Sequence, residues 1–305
     1  MPSRLPRLAA TLLLVVPLLL SGCASIEKLA VTRASPLHWN GHDRIELPLA
    51  RDSVGRPVVP GRILGEETAV LVDSGGGWPV MTPALAAAAG ARADGATTIN
   101  GRSYPTAAGL PLQLGGASIE LGKVAIGHQT AETQFALGPE LFLQAIVEMD
   151  FDAGRLTLIR PGTFRSPAVA AMPVKIVANK PTVQLRVNGR DEPVCAILDT
   201  GFNSGLALSG EVLAALELPR GAAETSVTGP GGAQWSAPAR AALEQVSFGN
   251  QRYRDVPLTE KKSDVAWSCP NLLGMAVLSR HRLVFDLRNR QVWLLPRSLA
   301  TMSRR

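Results

Sequence analysis

Two aspartates in this chain each follow a short apolar run and precede a small hydroxyl residue and a glycine. Asp73 stands in AVLVDSGG (residues 69–76) and Asp199 in CAILDTGF (residues 195–202). Apolar runs of this length that include β-branched residues and close on a turn favour buried strands. A carboxylate at the end of a buried strand needs donors, a cation or a proton, because burying it alone is costly. Two such carboxyls side by side would share one proton and could act together as general acid and general base. Alternatively, each is a turn aspartate that bonds its own backbone.

The surroundings of the two aspartates are repeated as well. A Leu-Gly step follows each of them, at Gly138 and at Gly274. The interval from Gly138 to Asp150 equals the interval from Gly274 to Asp286, and both intervals end within segments that read as closing hairpins. Self-similarity of this kind, with the same motifs in the same order, indicates two copies of one structural plan. That plan is a strand, an Asp-hydroxyl-Gly turn, a hairpin, further strands, a short helix and a closing hairpin.

The repeat and the composition together predict an all-β protein of two lobes. Glycine (29 residues) and proline (23) are plentiful, and the apolar fraction of 46% is that of a globular protein. The predicted divisions are a first lobe at 44–160, a linker at 161–169, a second lobe at 170–297 and a tail at 298–305.

The first residues have the order of an export signal. Arg4 and Arg7 precede an apolar stretch at 12–20, and Leu-Ser-Gly then leads to Cys23. Small residues before a cysteine resemble the lipobox of bacterial lipoproteins. The resemblance implies a signal peptide at 1–22, a lipidated Cys23, a tether at 23–43 and a periplasm-facing protein of the bacterial envelope. The residues after Cys23 favour the outer membrane. The alternative is a plain secretory signal that contains a cysteine.

The doubled motif resembles the pepsin-like and retropepsin-like aspartic peptidases. In those enzymes each lobe contributes one Asp-Thr/Ser-Gly loop, and a later apolar-apolar-Gly segment supports it. The matching pairs here are Asp73-Ser74-Gly75 with Ala136-Leu137-Gly138, and Asp199-Thr200-Gly201 with Leu272-Leu273-Gly274. The resemblance implies two tandem retropepsin-like lobes of the closed, barrel-like acid-protease fold, with a cleft between them.

The resemblance also assigns roles to the motif residues. Asp73 and Asp199 would be the catalytic pair, which activates water and protonates the peptide carbonyl without a cofactor or a metal. Four neighbours would support the pair, the hydroxyls by bonds between the loops and the glycines by letting two backbones approach: Ser74, Gly75, Thr200 and Gly201.

A flap over the cleft is expected in each lobe. Asn100-Gly101 is a hairpin signal at the place after Asp73 where the family has its flap, and Tyr104 could supply a flap hydroxyl. An ordinary strand aromatic is the alternative for Tyr104. In the second lobe Gly231 and Gly232 form the corresponding flexible tip, or only a loop.

Two cysteines remain after Cys23. Cys195 precedes Asp199 in its strand, and Cys269 precedes the Leu272-Leu273-Gly274 segment that should run beside that strand. An oxidising compartment favours a disulfide between them, and two buried free thiols are the alternative.

Several classes of function find little support in the sequence. The net charge of +6 is spread along the chain and no basic run interleaves with aromatics, so nucleic-acid binding is not indicated. His38 and His42 are four apart, but Pro36 and Gly41 argue against a helix presenting both to a metal. The chain contains no HExxH, GxSxG or P-loop motif.

The sequence therefore predicts a monomeric aspartic endopeptidase that cleaves envelope proteins or peptides. One departure from the family keeps an alternative open. The chain reads Gly76-Gly77-Trp78-Pro79 after Gly75, where the family usually has a small residue and then Ser, Thr or Asn. The alternatives are a catalytically degenerate peptide-binding lipoprotein of the same fold, or an envelope structural protein whose aspartates are turn residues.

Overall fold

The computed structural model describes residues 35–99, 102–127, 132–217, 223–228, 234–261 and 268–297. Five residues singled out from the sequence lie outside these ranges: Cys23, Asn100, Gly101, Gly231 and Gly232.

The first lobe consists of thirteen strands and two short helices within the described residues. They are β1 (Arg44–Pro48), β2 (Ala50–Arg51), β3 (Pro57–Ile63), β4 (Glu66–Val72), β5 (Val80–Met81), α1 (Pro83–Ala88), β6 (Gly95–Ile99), β7 (Arg102–Ala107), β8 (Leu110–Leu114), β9 (Ala117–Leu121), β10 (Val124–Ile126), β11 (Phe135–Leu137), α2 (Pro139–Phe142), β12 (Ile146–Asp150) and β13 (Arg155–Ile159).

The second lobe has the same succession of elements in its described residues. They are β14 (Met172–Pro173), β15 (Lys175–Val177), β16 (Lys180–Val187), β17 (Val194–Leu198), β18 (Leu206–Ser209), α3 (Gly210–Ala215), β19 (Ala223–Thr228), β20 (Gln234–Leu243), β21 (Val246–Phe248), β22 (Gln251–Tyr253), β23 (Val256–Lys261), β24 (Asn271–Leu273), α4 (Met275–Leu278), β25 (Arg282–Asp286) and β26 (Gln291–Leu295).

Each lobe has its own ten-stranded sheet, and the two strand orders correspond one to one. The first runs β6-β7-β10-β5-β11-β4-β3-β8-β9, with β2 paired to β3. The second runs β19-β20-β23-β18-β24-β17-β16-β21-β22, with β15 paired to β16. The predicted all-β fold is confirmed, and the two curled sheets are consistent with two retropepsin-like lobes.

The strands follow from the local sequence pattern. Strand β8 alternates buried and exposed residues, as expected of a strand with one face on the core. The ends of β4 and β17 are buried on both faces. Each of these two strands lies in the middle of its sheet with a parallel neighbour, β11 for β4 and β24 for β17. Strands covered on both sides read as continuous apolar runs, as both do.

A third sheet of six strands joins the lobes, which belong to one compact unit. Its order is β1-β13-β12-β25-β26-β14, so three strands come from each copy. At its centre β12 and β25 are antiparallel, with Glu148 opposite Val284. The rings of Phe142 and Phe285 meet edge to face at 5.2 Å behind this sheet, and one apolar core continues through both lobes. Among the described residues no helix is long and apolar enough to cross a membrane.

Candidate active site

Two equivalent strand ends position the aspartates. The backbone N–H of Asp73 donates to the carbonyl oxygen of Leu137 at 2.9 Å, and that of Asp199 donates to Leu273 at 2.9 Å. Leu137 and Leu273 end β11 and β24, the parallel neighbours of β4 and β17. The apolar-apolar-Gly segments therefore run beside the two aspartates.

Each aspartate closes its own turn in the same way. The N–H of Gly75 donates to Oδ1 of Asp73, and the N–H of Gly201 donates to Oδ1 of Asp199, both at 2.9 Å. These are the bonds that the turn-aspartate interpretation calls for. Neither Oδ2 atom accepts a hydrogen bond from a backbone or hydroxyl group among the described residues, and a side-chain hydrogen bond with Asp199 acts to lower the pKa of Asp73. The turns therefore account for only half of each carboxyl.

The two hydroxyl residues bind the loops to each other. The N–H of Ser74 donates to Oγ1 of Thr200 at 2.9 Å, and the N–H of Thr200 donates to Oγ of Ser74 at 3.1 Å. The hydroxyls donate onward, Ser74 to the carbonyl oxygen of Leu198 at 2.7 Å and Thr200 to that of Val72 at 2.6 Å. All four bonds are buried and cross between the lobes, so they fix one aspartate relative to the other.

The glycines are required by the closeness of the two loops. A β-carbon built on Gly75 would lie 2.2 Å from Cγ of Asp199, and one built on Gly201 would lie 2.4 Å from Cγ of Asp73. A side chain at either position would occupy the space of the opposite carboxyl. Each carboxyl therefore lies against the backbone of the other lobe's loop, which brings the two acidic groups together.

Burial governs the titration of the pair. Asp73 is 1% exposed and Asp199 is fully buried. Burial raises the pKa of Asp73. Burial and then the charge of Asp73 raise the pKa of Asp199 well above the ordinary value. Carboxyls coupled in this way lose their protons as a pair, and the second proton leaves only at a raised pH.

Two buried basic residues stand at equivalent places beside the pair. Val58 lies opposite Leu71 in the first lobe, and Thr182 lies opposite Ile197 in the second. Arg56 lies two residues before Val58, and Lys180 lies two residues before Thr182. Arg56 is fully buried and Lys180 is 6% exposed. Sequence reasoning missed both, although aligning the two copies at these strands would have placed one basic residue over the other.

The charge of Arg56 is neutralised by the neighbouring carboxylate of Asp52. The Nε of Arg56 donates to Oδ2 of Asp52 at 2.7 Å, and its Nη2 lies 2.6 Å from the same oxygen. Nη2 also donates to Oγ1 of Thr133 at 3.2 Å. Two-pronged, fully buried pairs of this kind are strong and rigid.

A further lysine ends β23, on the side of the second lobe. Desolvation lowers the pKa of Lys261 to about 8, although the charge of Asp199 acts to raise it. The positive charge of Lys180 also lowers that pKa, so the two lysines are near enough to repel each other. A carboxyl pair with several cations around it is the main electrostatic feature of this part of the molecule.

The Gly76-Gly77 departure leaves the contacts of Asp73 equivalent to those of Asp199. The two lobes differ in the side chain that packs against the Leu-Gly segment behind each loop. A β-carbon on Gly274 would meet the ring of Phe202 at 2.4 Å, whereas the nearest atom at the equivalent Gly138 is Oε2 of Glu140, at 3.6 Å. A buried carboxyl thus stands beside Gly138 in the first lobe, where the second lobe has an aromatic ring beside Gly274.

Antiparallel strand pairs flank the predicted flap tips, and the tips themselves lie outside the described residues. Strands β6 and β7 pair antiparallel up to Ile99 and Arg102, on each side of residues 100–101. Tyr104 lies in β7 opposite Thr97, and its ring covers Gly127, where a β-carbon would lie 2.7 Å from Cδ1. In the second lobe β19 and β20 pair on each side of residues 229–233.

The structure joins Cys195 to Cys269 by a disulfide, with the two Cα atoms 5.5 Å apart. The bond links β17, which carries Asp199, to the residues that enter β24. Asn271 adds a second tie, since its Nδ2 donates to the carbonyl oxygen of Cys195 at 2.8 Å.

One comparison with known proteins finds a related family. The family model described as "gag-polyprotein putative aspartyl protease" matches residues 183–280, from β16 to the residues after α4. This segment contains Asp199-Thr200-Gly201 and the supporting strand β24. No curated protein matches the chain. The second lobe therefore resembles an aspartyl protease domain of the retropepsin type.

Proposed function

We propose that the protein is an aspartic endopeptidase in which Asp73 and Asp199 act as one catalytic unit. The observation that carries this proposal is the reciprocal packing of the two loops, in which each carboxyl lies against the glycine of the other copy. A turn aspartate needs only its own backbone. A pair of buried carboxyls held against each other by four bonds between the loops has no comparable structural reason.

The coupling of the two carboxyls gives each of them a role. Burial raises the pKa of both, and because they titrate as a pair they would share one proton, which Asp199 carries in the form that reacts here. Asp73 would be ionised and take a proton from the attacking water, while Asp199 donates its proton to the carbonyl oxygen. The water oxygen then bonds to the carbonyl carbon.

Collapse of the tetrahedral intermediate completes the reaction. The C–N bond breaks, the leaving nitrogen takes the proton from Asp73, and a hydroxyl of the intermediate returns a proton to Asp199. The products are a carboxylic acid and an amine, and the pair regains its single proton. The two Oδ2 atoms, which are the oxygens not bonded to the turns, would make these transfers.

The test is cleavage of a mixed peptide library by the purified protein, with new termini read by mass spectrometry. Asp73→Asn and Asp199→Asn should each abolish cleavage, and the double variant should lose no more, because the pair acts as a unit. Asp191→Asn, at an exposed loop position of the second lobe, is the matched control and should cleave normally.

Binding separates the endopeptidase from a peptide-binding protein of the same fold. An active enzyme should bind a statine-type transition-state analogue far more tightly than a substrate peptide, and both asparagine variants should lose this preference. Peptide binding without cleavage, unchanged in the asparagine variants, would favour the binding protein and overturn the proposal.

We further propose that the substrates are proteins or peptides of the bacterial envelope, reached from a lipid anchor on Cys23. The support is the order of charge, apolar run and small residues before this cysteine. Cys23→Ser should move the protein from the membrane fraction to the soluble periplasm. Wild-type protein that is already soluble there would exclude the anchor.

A further inference from the structure

We propose that Lys180 is a positioning residue for the Asp73–Asp199 pair. Its buried positive charge stabilises the singly ionised form of the pair, so that this form persists at a lower pH than it would without the charge. The inference deepens the proposed function and rests on it. Lys180 touches neither the water nor the peptide bond in the mechanism above. It acts on the proton that the two carboxyls share.

The position of the ammonium group is the first support. Lys180 begins β16 of the second lobe, yet a β-carbon on Gly77 of the first lobe would lie 3.8 Å from its Nζ. A β-carbon on the preceding residue, Gly76, would lie 3.2 Å from Cγ of Asp73. The charge of Lys180 therefore lies beside the loop that follows Asp73, where the two lobes meet.

The comparison with Arg56 is the second support. Arg56 and Lys180 occupy equivalent positions in the two copies, but Arg56 forms a fully buried ion pair with Asp52. The carboxylate of Asp52 therefore weakens the field of Arg56 at the catalytic pair.

The other charged groups around the pair act in both directions. Lys261 of β23 adds positive charge on the Asp199 side, and Glu140 of α2, behind Gly138, adds a buried carboxyl on the Asp73 side. On β15, next to β16, Lys175 is exposed to solvent. The pKa of each carboxyl therefore reflects the combined effect of these charges and of burial.

Lys180 is the dominant cation in that balance. Burial raises the pKa of both carboxyls and is the larger effect. Lys180 opposes it more strongly than Arg56 does at Asp73, and more strongly than Lys261 does at Asp199. An opposite charge favours the ionised form of a carboxyl, so removing it should raise the pH at which the pair first ionises.

The experiment compares Lys180→Met and Lys180→Gln with Lys180→Arg and the exposed control Lys175→Met. The carboxyl carbons of Asp73 and Asp199 are followed by NMR in protein labelled with [13C]aspartate, and Asp73→Asn and Asp199→Asn assign the signals. Uncharged variants should raise the lower apparent pKa of the pair by about one pH unit. Lys180→Arg and Lys175→Met should leave it unchanged, and the acid limb of the cleavage profile should move with the NMR titration.

Unchanged titration in folded Lys180→Met and Lys180→Gln would overturn the proposal. Failure of both uncharged variants to fold would do so as well, because the charge would then be needed for structure. The NMR readout does not depend on cleavage. A pair that shifts in Lys180→Met while wild-type protein cuts no peptide would support the role of Lys180 and refute the endopeptidase.

Discussion

Asp73 and Asp199 are buried with only one oxygen of each bonded to its own turn. A buried carboxyl in that position favours its protonated form, and a second carboxyl nearby strengthens the preference. The hydroxyls of Ser74 and Thr200 hold the two loops, and with them the two carboxyls, in place. They donate to backbone carbonyl oxygens of the other lobe and not to the carboxyls themselves. At the scale of single residues, the site is a pair of buried carboxyls whose pKa values are raised.

The glycines of the two loops give the first prediction. Gly75→Ala and Gly201→Ala should abolish activity and lower the thermal unfolding midpoint, because each new methyl would overlap the opposite carboxyl. Gly77→Ala is the control in the same segment, since a β-carbon there meets only Nζ of Lys180, at 3.8 Å. Activity assays and thermal melts of the three variants make the check. A fully active Gly75→Ala would contradict the packing of the loops.

The second prediction concerns stability and pH. An unfolded aspartate titrates near 3.9, and burial raises the pKa of Asp199 above that value in the folded protein. Between the two values the folded state binds more protons, so the free energy of unfolding falls as pH rises through that window. Asp199→Asn should show a smaller decline, since only Asp73 with its own raised pKa remains, and should be more stable than wild type at neutral pH. Melts at pH 4.5 and 7.5 test it, with Asp191→Asn behaving as wild type. Parallel curves for wild type and Asp199→Asn would show that the proton makes no such contribution.

At the scale of elements, the site depends on two parallel strand pairs. Strands β4 and β17 end just before the two aspartates. The backbone N–H groups of the aspartates donate to the last residues of the parallel neighbours, β11 and β24. Such pairs cannot form from a hairpin, because parallel neighbours need a long connection between them. The second lobe reinforces its pair with the disulfide and with Asn271.

The disulfide gives the third prediction. Cys195 and Cys269 are 74 residues apart, and a crosslink of this kind stabilises typically by about 2–4 kcal/mol. The double variant Cys195→Ala/Cys269→Ala should therefore unfold about 5–10 °C lower than wild type. Mass spectrometry of non-reduced peptides should find the two cysteines joined, and a reducing agent should not affect the melt of the double variant. Quantitative alkylation of both cysteines in native protein would contradict the bond.

At the scale of the molecule, two copies of one plan meet about an approximate two-fold relation. The central sheet takes three strands from each copy, and the core runs through both. A linker of about ten residues keeps the second copy at an effective concentration near millimolar, which favours pairing within one chain. The shared sheet and the four bonds between the loops then fix the relative position of the two lobes.

The fourth prediction follows from this arrangement. The protein should be a monomer, and a mixture of Asp73→Asn with Asp199→Asn should remain inactive, because each chain pairs its own lobes. Size-exclusion chromatography and cleavage assays on the mixture provide the measurement. Activity regained on mixing would show that lobes are exchanged between chains, as in a homodimer.

The sequence alone identified the residues whose meaning is local or repeated. An apolar run closed by Asp-Ser-Gly or Asp-Thr-Gly predicts a buried strand and a turn at each copy. The recurrence of the motif with its Leu-Gly partner predicted two lobes and named Asp73 and Asp199 as a pair. The Asn100-Gly101 signal also predicted the antiparallel pairing of β6 with β7. These patterns can be read in advance because they depend on neighbours within a few residues or on the same motifs recurring in the same order.

Only the tertiary structure decided what lies around the pair. Arg56 and Lys180 are each separated from the aspartate of their own lobe by two whole strands and the turn between them, too far for any local pattern to connect them. The order of the hydroxyl bonds and the shared six-stranded sheet likewise depend on how the two copies dock. Burial of a charge is a property of the packed molecule, since it requires the atoms of several strands to exclude water at one point. For this reason the two acids could be read from the chain, whereas the burial of the two basic residues beside them could not.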